Sequence, residues 1–203
     1  MATENNVMWF DKMNILQSEK DMRVRICNRL EKELIDIFDW VANFGSGFFY
    51  WELLDKKMRD RYVKIILEEY PHIQDKEQLI EILAYYFYEN TSDLIMKADG
   101  DKDKLKKALS RQRARDCARN ETNKAVNTLD FDEMVSRGYR KKQWQTTIDG
   151  KERPSHNKAD GQIVDINEPF IINGYQMDFP MDDSYDAPLT EILGCRCSVK
   201  YIK

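Results

Sequence analysis

Near its end the chain carries residues whose types could do chemistry: Asp149, Arg153, His156, Asp160, Cys195 and Cys197. Cys195 and Cys197 flank Arg196. On a strand, residues two apart share a face, so the thiols should point together and Arg196 away. With His156 and Asp160 they make a Cys₂His-plus-oxygen set, an acceptable tetrahedral environment for zinc. The spacing is tighter than Cys-x-x-Cys, and one pair is short of a four-cysteine signature. The plainer alternative is that both thiols pack as small core groups while His156 hydrogen-bonds locally. A Cys195–Cys197 disulfide would be strained. Asp149, Arg153, His156 and Asp160 also suit acid–base chemistry. However, no Ser-His-Asp order, nucleophile elbow or Walker loop accompanies them. The zinc-deaminase pattern requires His-x-Glu, whereas His156 is followed by Asn157-Lys158. No complete catalytic set results, and enzymatic activity is the lesser expectation.

A second pattern concerns charge. Lys104, Lys107, Arg111, Arg115 and Arg119 recur at steps of three or four, which places them on one face if a single helix spans 103–128. Such a face could follow a phosphate backbone with steep salt dependence. Nothing in it reads base edges, so the expected ligand is double-stranded DNA of any sequence, weakly bound. The alternative is a solvated face paired with Asp103, Asp116 and acidic helices. Residues 97–142 hold 14 Lys/Arg against 8 Asp/Glu, while 1–96 hold 12 against 18 and 143–203 hold 6 against 10. The middle segment alone has a balance suited to nucleic acid. Asp99-Gly-Asp101-Lys-Asp103 begins like a calcium loop but lacks its glycine and its final glutamate, so that reading fails.

These groups must be positioned by an ordered scaffold. The spacing of Met22, Ile26, Leu30, Leu34, Ile37 and Val41 predicts a helix over 8–43, ended by Gly45-Ser46-Gly47. A second helix is expected over 48–69, with Leu54, Met58, Tyr62, Ile65 and Ile66 inward and Pro71 as its stop. Asp75 and Gln78 resemble a capping box before a third helix over 76–97, with Leu79, Ile82, Leu83, Tyr86 and Phe87 inward. Asp99-Gly100 breaks that helix. Beyond Gly138 the pattern changes to short β-rich runs at 143–148, 162–166, 169–172 and 197–202. The expected fold is α+β: a helical region over 1–96, a basic helical segment over 97–142 and a small β-rich domain over 143–203.

With 203 residues the chain can bury a substantial core. No run of about 18 apolar residues exists, so no membrane partner is expected. The first residues lack the basic and apolar regions of a signal peptide. Four cysteines in a chain of this size fit a reducing compartment better than a disulfide framework.

The C-terminal half also carries an ordered motif. Trp144-Gln-Thr146-Thr147 is followed by Asp149, Arg153, Ser155-His156, Asp160-Gly161, Glu168-Pro-Phe170, Phe179-Pro180 and Cys195-Arg196-Cys197. Upstream stands Arg115-Asp-Cys-Ala-Arg119-Asn-Glu121-Thr122-Asn-Lys-Ala125-Val-Asn127. Over roughly residues 111 to 201 this series resembles the phage Mu F-type domain of minor head, or head morphogenesis, proteins of tailed phages. The resemblance implies a low-copy virion component, associated with the portal and other head proteins and linked to DNA packaging or ejection. It implies a place in the head interior after assembly in the host cytoplasm. It also offers Asp149, Arg153, His156 and Asp160 a role as ties between a connecting loop and the β-domain. The rival expectation is a metal-dependent enzyme or toxin module built on the same domain. By either reading the expected cofactor is none, or zinc.

Overall fold

Apolar residues at helical spacing dominate the first two thirds of the chain, and helices form there. The computed structural model describes residues 2–44, 48–70, 76–98 and 101–203, with the side chains at 2–4, 43, 44, 48–50 and 102 outside that description. The elements are α1 (Ala2–Asp11), α2 (Gln17–Phe44), α3 (Phe48–Glu69), α4 (Glu77–Lys97), α5 (Lys102–Ala108), α6 (Arg111–Ser136), β1 (Lys141–Gln145), α7 (Pro154–Ala159), β2 (Ile163–Asp165), β3 (Phe170–Ile172), β4 (Tyr175–Met177), α8 (Leu189–Ile192) and β5 (Ser198–Ile202). The fold is α+β, with helices first and small antiparallel sheets last. The expected breaks at 45–47, Pro71, Asp75 and Asp99-Gly100 lie outside the described residues.

Packing divides the chain into two compact units, Arg25–Glu121 and Met1–Val24 with Thr122–Lys203. The division into 1–96, 97–142 and 143–203 follows charge and motif instead, and so does not anticipate that the first 24 residues pack with the C-terminal part. In Arg25–Glu121 the expected faces of α2 and α3 are buried, from Ile26 to Val41 and from Leu54 to Ile66. Tyr62 stacks near Phe87, with ring centres 5.2 Å apart. Arg25 and Arg29 of α2 reach Glu69 of α3 at 2.8 and 3.0 Å. On α4 the inward stripe is shifted from expectation. Ile80, Leu83, Ala84, Phe87 and Ile95 are buried, whereas Ile82 and Tyr86 are about half exposed, at 52% and 50%. The run Leu79-Ile80 and Leu83-Ala84 supports two neighbouring stripes, and the one that continues through Thr91 and Ile95 is the one packed.

Two helices expected to be continuous are each two helices. The helix over 8–43 is α1 and α2, and the Lys20 ammonium reaches back to the Asp11 carbonyl at the end of α1. The helix over 103–128 is α5 and α6. Ser110 stands between them, and its hydroxyl accepts from Arg113 N–H at 3.2 Å, an N-cap. Asp101 caps α5 in the same way, accepting from Asp103 and Lys104 at 3.1 and 3.0 Å. A basic residue follows three positions after Ser110 instead of the glutamate of a capping box, so this start is easy to overlook in the sequence.

In the other unit β1 is the middle strand of an antiparallel sheet ordered β2-β1-β5. Alternation buries Lys142 and Trp144 on one face of β1. Trp144 packs with Phe170, Ile172, Met177, Met181 and Ile192. Lys142 is met in this setting by Asp178 at 3.3 Å and the Phe131 ring at 4.4 Å, while burial pushes its pKa down. The β3–β4 hairpin turns on Asn173-Gly174, with φ of 54° and 86°, as a two-residue turn of two left-handed residues requires.

The α4 register gives a test. Ile80→Ala should destabilise the protein by about 2–4 kcal/mol, as for a core truncation, while Ile82→Ala should stay within about 0.5 kcal/mol. Urea unfolding of both variants checks this, and equal costs would restore the register expected from Leu79 and Ile82.

Candidate functional site

The chain after Leu193 returns to a loop some forty residues earlier, and paired side chains determine how. Trp144 Nε1 donates to Thr146 Oγ1 at 3.1 Å, and that hydroxyl donates to the His156 carbonyl at 2.8 Å. Thr147 Oγ1 donates to the Arg196 carbonyl at 2.7 Å. These two threonines therefore bind α7 and the terminal segment from one point after β1. Pro154 opens α7 at a position where the missing N–H costs nothing.

Arg196 points away from the thiols, as expected, and forms a two-pronged pair with Asp149, both contacts at 2.8 Å. Its guanidinium also lies 5.9 Å from the Trp9 ring centre. Hydrogen bonds from Arg196 lower the Asp149 pKa to about 2. Glu152 accepts from the Asp149 and Gly150 amides at 3.0 and 2.7 Å, which shapes the turn. Arg153 donates to the Leu193 carbonyl. Gly161, at φ +78°, lets its amide return to the Trp144 carbonyl at 2.9 Å. Phe170 is buried edge-on to Trp144 at 5.3 Å.

Cys195, Cys197 and His156 come together, all buried. His156 Nδ1 lies 3.6 Å from Cys195 Sγ and 3.3 Å from Cys197 Sγ. Nε2, the other ring nitrogen, lies 3.2 Å from Glu191 Oε2, an ion-pair distance without hydrogen-bond alignment. Ser155 and Asn173 donate to Glu191 at 2.8 and 2.9 Å. Burial opposes ionisation of Glu191, yet those hydrogen bonds hold its pKa below the ordinary value. The thiols differ: accepting from Cys197 lowers the Cys195 pKa, while donating to Cys195, together with burial, raises that of Cys197. A cavity of about 170 Å³ is lined by all three residues and by Thr146 and Arg153.

Three expectations need correction. Asp160 is exposed and outside this cluster; its carboxylate accepts from the Thr146 amide at 2.8 Å and so is used in the loop. The thiols converge from an irregular segment just before β5, not from a strand, with the Cys197 amide 3.4 Å from Cys195 Sγ. The basic stripe is also divided. Lys104 and Lys107 are exposed on α5, and Arg111 is exposed at the start of α6. Arg115 instead pairs with buried Glu31 at 3.2 Å, and Arg119 is largely covered, 4.0 Å from Asp116. A cleft of about 380 Å³ lies beside α5, lined by Lys97, Lys104, Lys107 and Arg113 together with Asp116.

Nothing in the sequence assigns a role to Glu191 or Arg23, and Asn123 and Asn127 stand in the helix series over 115–127 without an assigned contact. The α6 amides Asn123 and Asn127 donate to the Cys195 and Pro180 carbonyls at 2.8 and 2.9 Å. Their side-chain oxygens accept from buried Arg23. The four-residue spacing of the asparagines on a helix was the available signal.

A family model described as Phage Mu protein F like protein matches residues 70–200. No curated protein and no solved structure matches the chain.

The Asp149–Arg196 pair has a defined pH signature. A carboxylate with a depressed pKa stabilises the fold above its unfolded value and loses that contribution as pH falls through the folded value. Arg196→Gln should cost roughly 1–2 kcal/mol near neutral pH. The gap between wild type and variant should close as pH falls from 3.8 toward about 2. Chemical denaturation across that range would show it, and a pH-independent gap would contradict the assignment.

Proposed function

We propose that this chain, which belongs to the phage Mu protein F like family, is a minor head protein of a tailed phage or prophage, placed beside the portal and the packaged DNA. The carrying observation is the extent of the match: residues 70–200 take in both α5–α6 and the β-domain. Head morphogenesis is the family's province, and no described helix is long and apolar enough to cross a membrane.

Two surfaces supply the contacts. On α4, Ile82, Tyr85 and Tyr86 are exposed beside Glu81 and Glu89, and the tyrosine rings meet edge-on at 5.9 Å. Exposed tyrosines carry much binding energy in protein interfaces, so this face is assigned to the portal or a neighbouring head protein. On α5 and the start of α6, Lys104, Lys107 and Arg111 are assigned to phosphates. Arg115 and Arg119 are left out of that surface because their carboxylate neighbours and burial already occupy them. Assembly in the host cytoplasm and a final position in the head interior follow from this role. The rival reading, a metal-dependent enzyme or toxin module, draws on the cavity beside His156, Cys195 and Cys197. It requires a substrate turned over there.

Coexpression with the cognate portal protein tests the role. Full-length chain should copurify with the portal, and Tyr85→Ser/Tyr86→Ser should reduce recovery without loss of folding. Absence of the wild-type chain from both the portal complex and purified virions would overturn the reading. For DNA, changing Lys104, Lys107 and Arg111 to Gln should weaken duplex binding equally across sequences. The log–log salt slope should fall by about 0.9 for each phosphate that the variant no longer neutralises. Unchanged low-salt affinity would leave these residues as a solvated face.

A further inference from the structure

The geometry points to a zinc centre held by Cys195, Cys197 and His156, with a water from the adjoining cavity as the fourth ligand. The inference does not rest on the head-protein role. Zinc bond lengths of about 2.3 Å to sulfur and about 2.0–2.1 Å to nitrogen give a tetrahedral sulfur–nitrogen edge of roughly 3.6 Å. The two edges here are 3.6 and 3.3 Å. All three donor atoms lie within 4.8 Å of one another, and among the described residues this is the one group of three or more such donors.

A neutral imidazole nitrogen has a single lone pair, so Nδ1 takes one thiol donor, and the Cys197 thiol otherwise reaches Thr146 Oγ1 at 3.8 Å. A cation on the side shared by both sulfurs and Nδ1 satisfies the three together. The opposite face of the ring fits the same assignment. Nε2 faces Glu191 at 3.2 Å, and Glu191 is itself fixed by Ser155 and Asn173. A carboxylate at this ion-pair distance, though not aligned as a hydrogen-bond acceptor, favours the proton on Nε2 and leaves Nδ1 for a metal. Glu191 is then a positioning residue. The pair of sulfurs favours a borderline-soft ion over magnesium or calcium.

The cavity lined by the three ligands has a volume of about 170 Å³, enough for a water in the remaining coordination position. The centre would join the terminal segment to α7 at a point where no disulfide does so, since all four cysteines are free. Its role is a clasp for the C-terminal segment.

Full-length protein without a histidine tag, purified under reducing conditions with zinc present and then dialysed, provides the test. Elemental analysis should find about one zinc per chain. Cobalt(II) replacement should give a thiolate-to-cobalt charge-transfer band, weakened in Cys195→Ser and in Cys197→Ser. Glu191→Gln should keep the band while lowering metal affinity by about 10–100-fold. Chelation should lower the thermal midpoint, because site formation and folding are coupled. The wild-type cobalt spectrum decides the matter even if a cysteine variant does not fold. Wild-type protein with both thiols reduced, no retained zinc and no cobalt band would overturn the proposal. So would a midpoint indifferent to chelator in zinc-loaded protein.

Discussion

One buried guanidinium organises much of the C-terminal unit. Arg23 is almost wholly inaccessible, and its charge is balanced by Glu19 at 2.7 Å and, farther away, by Asp130 at 3.9 Å. A buried cation with partners missing is costly, so the groups around it are tightly constrained. Asn123 and Asn127 turn their oxygens toward Arg23, and this leaves their amide N–H groups aimed at the Cys195 and Pro180 carbonyls. An amide cannot flip without breaking both hydrogen bonds. The position of Arg23 therefore fixes the orientation of two asparagines. Those in turn fix the backbone at the start of the Cys-Arg-Cys segment and at the loop beyond β4.

From that anchored backbone the remaining ties follow in opposite directions. Cys195 and Cys197 face His156 in the interior, while Arg196 faces Asp149 and Trp9. The same three-residue segment thus closes one side of the domain with sulfur and the other with charge. Asp149, Arg153 and Asp160, which in sequence resemble parts of an acid–base set, each hold a loop or terminal backbone group or pair with an arginine. This is the pattern expected of a structural domain whose polar residues specify one arrangement of its loops.

Much of the fold was legible because its signals are periodic. The inward faces of α2 and α3 follow from apolar spacing, and β1, β2, β3 and β5 follow from short β-rich runs. What escaped detection depended on single side chains. Ser110 ends a pattern that otherwise continues from α5 to α6, and Asn173-Gly174 marks a hairpin whose second strand is only three residues long. The motif residues were recognisable, yet their pairing was only partly so. His156 with the two thiols could be read from chemistry. The removal of Asp160 to Thr146, and the arrival of Glu191 behind His156, depend on how α7 and α8 are placed, which no local spacing encodes. The basic stripe divided for the same reason: a helical-wheel face says nothing about Glu31, a distant residue that takes up Arg115.

The central claim is that the Arg23–asparagine network holds the terminal segment in place. Hydrogen exchange read by mass spectrometry on full-length wild type and Asn123→Ala tests it most directly. Losing the amide that binds the Cys195 carbonyl should cost about 1–3 kcal/mol and speed exchange by roughly tenfold or more at 195–202 and at its strand partner β1. Faster exchange confined to the α6 turn around position 123, with 195–202 as protected as in wild type, would contradict it.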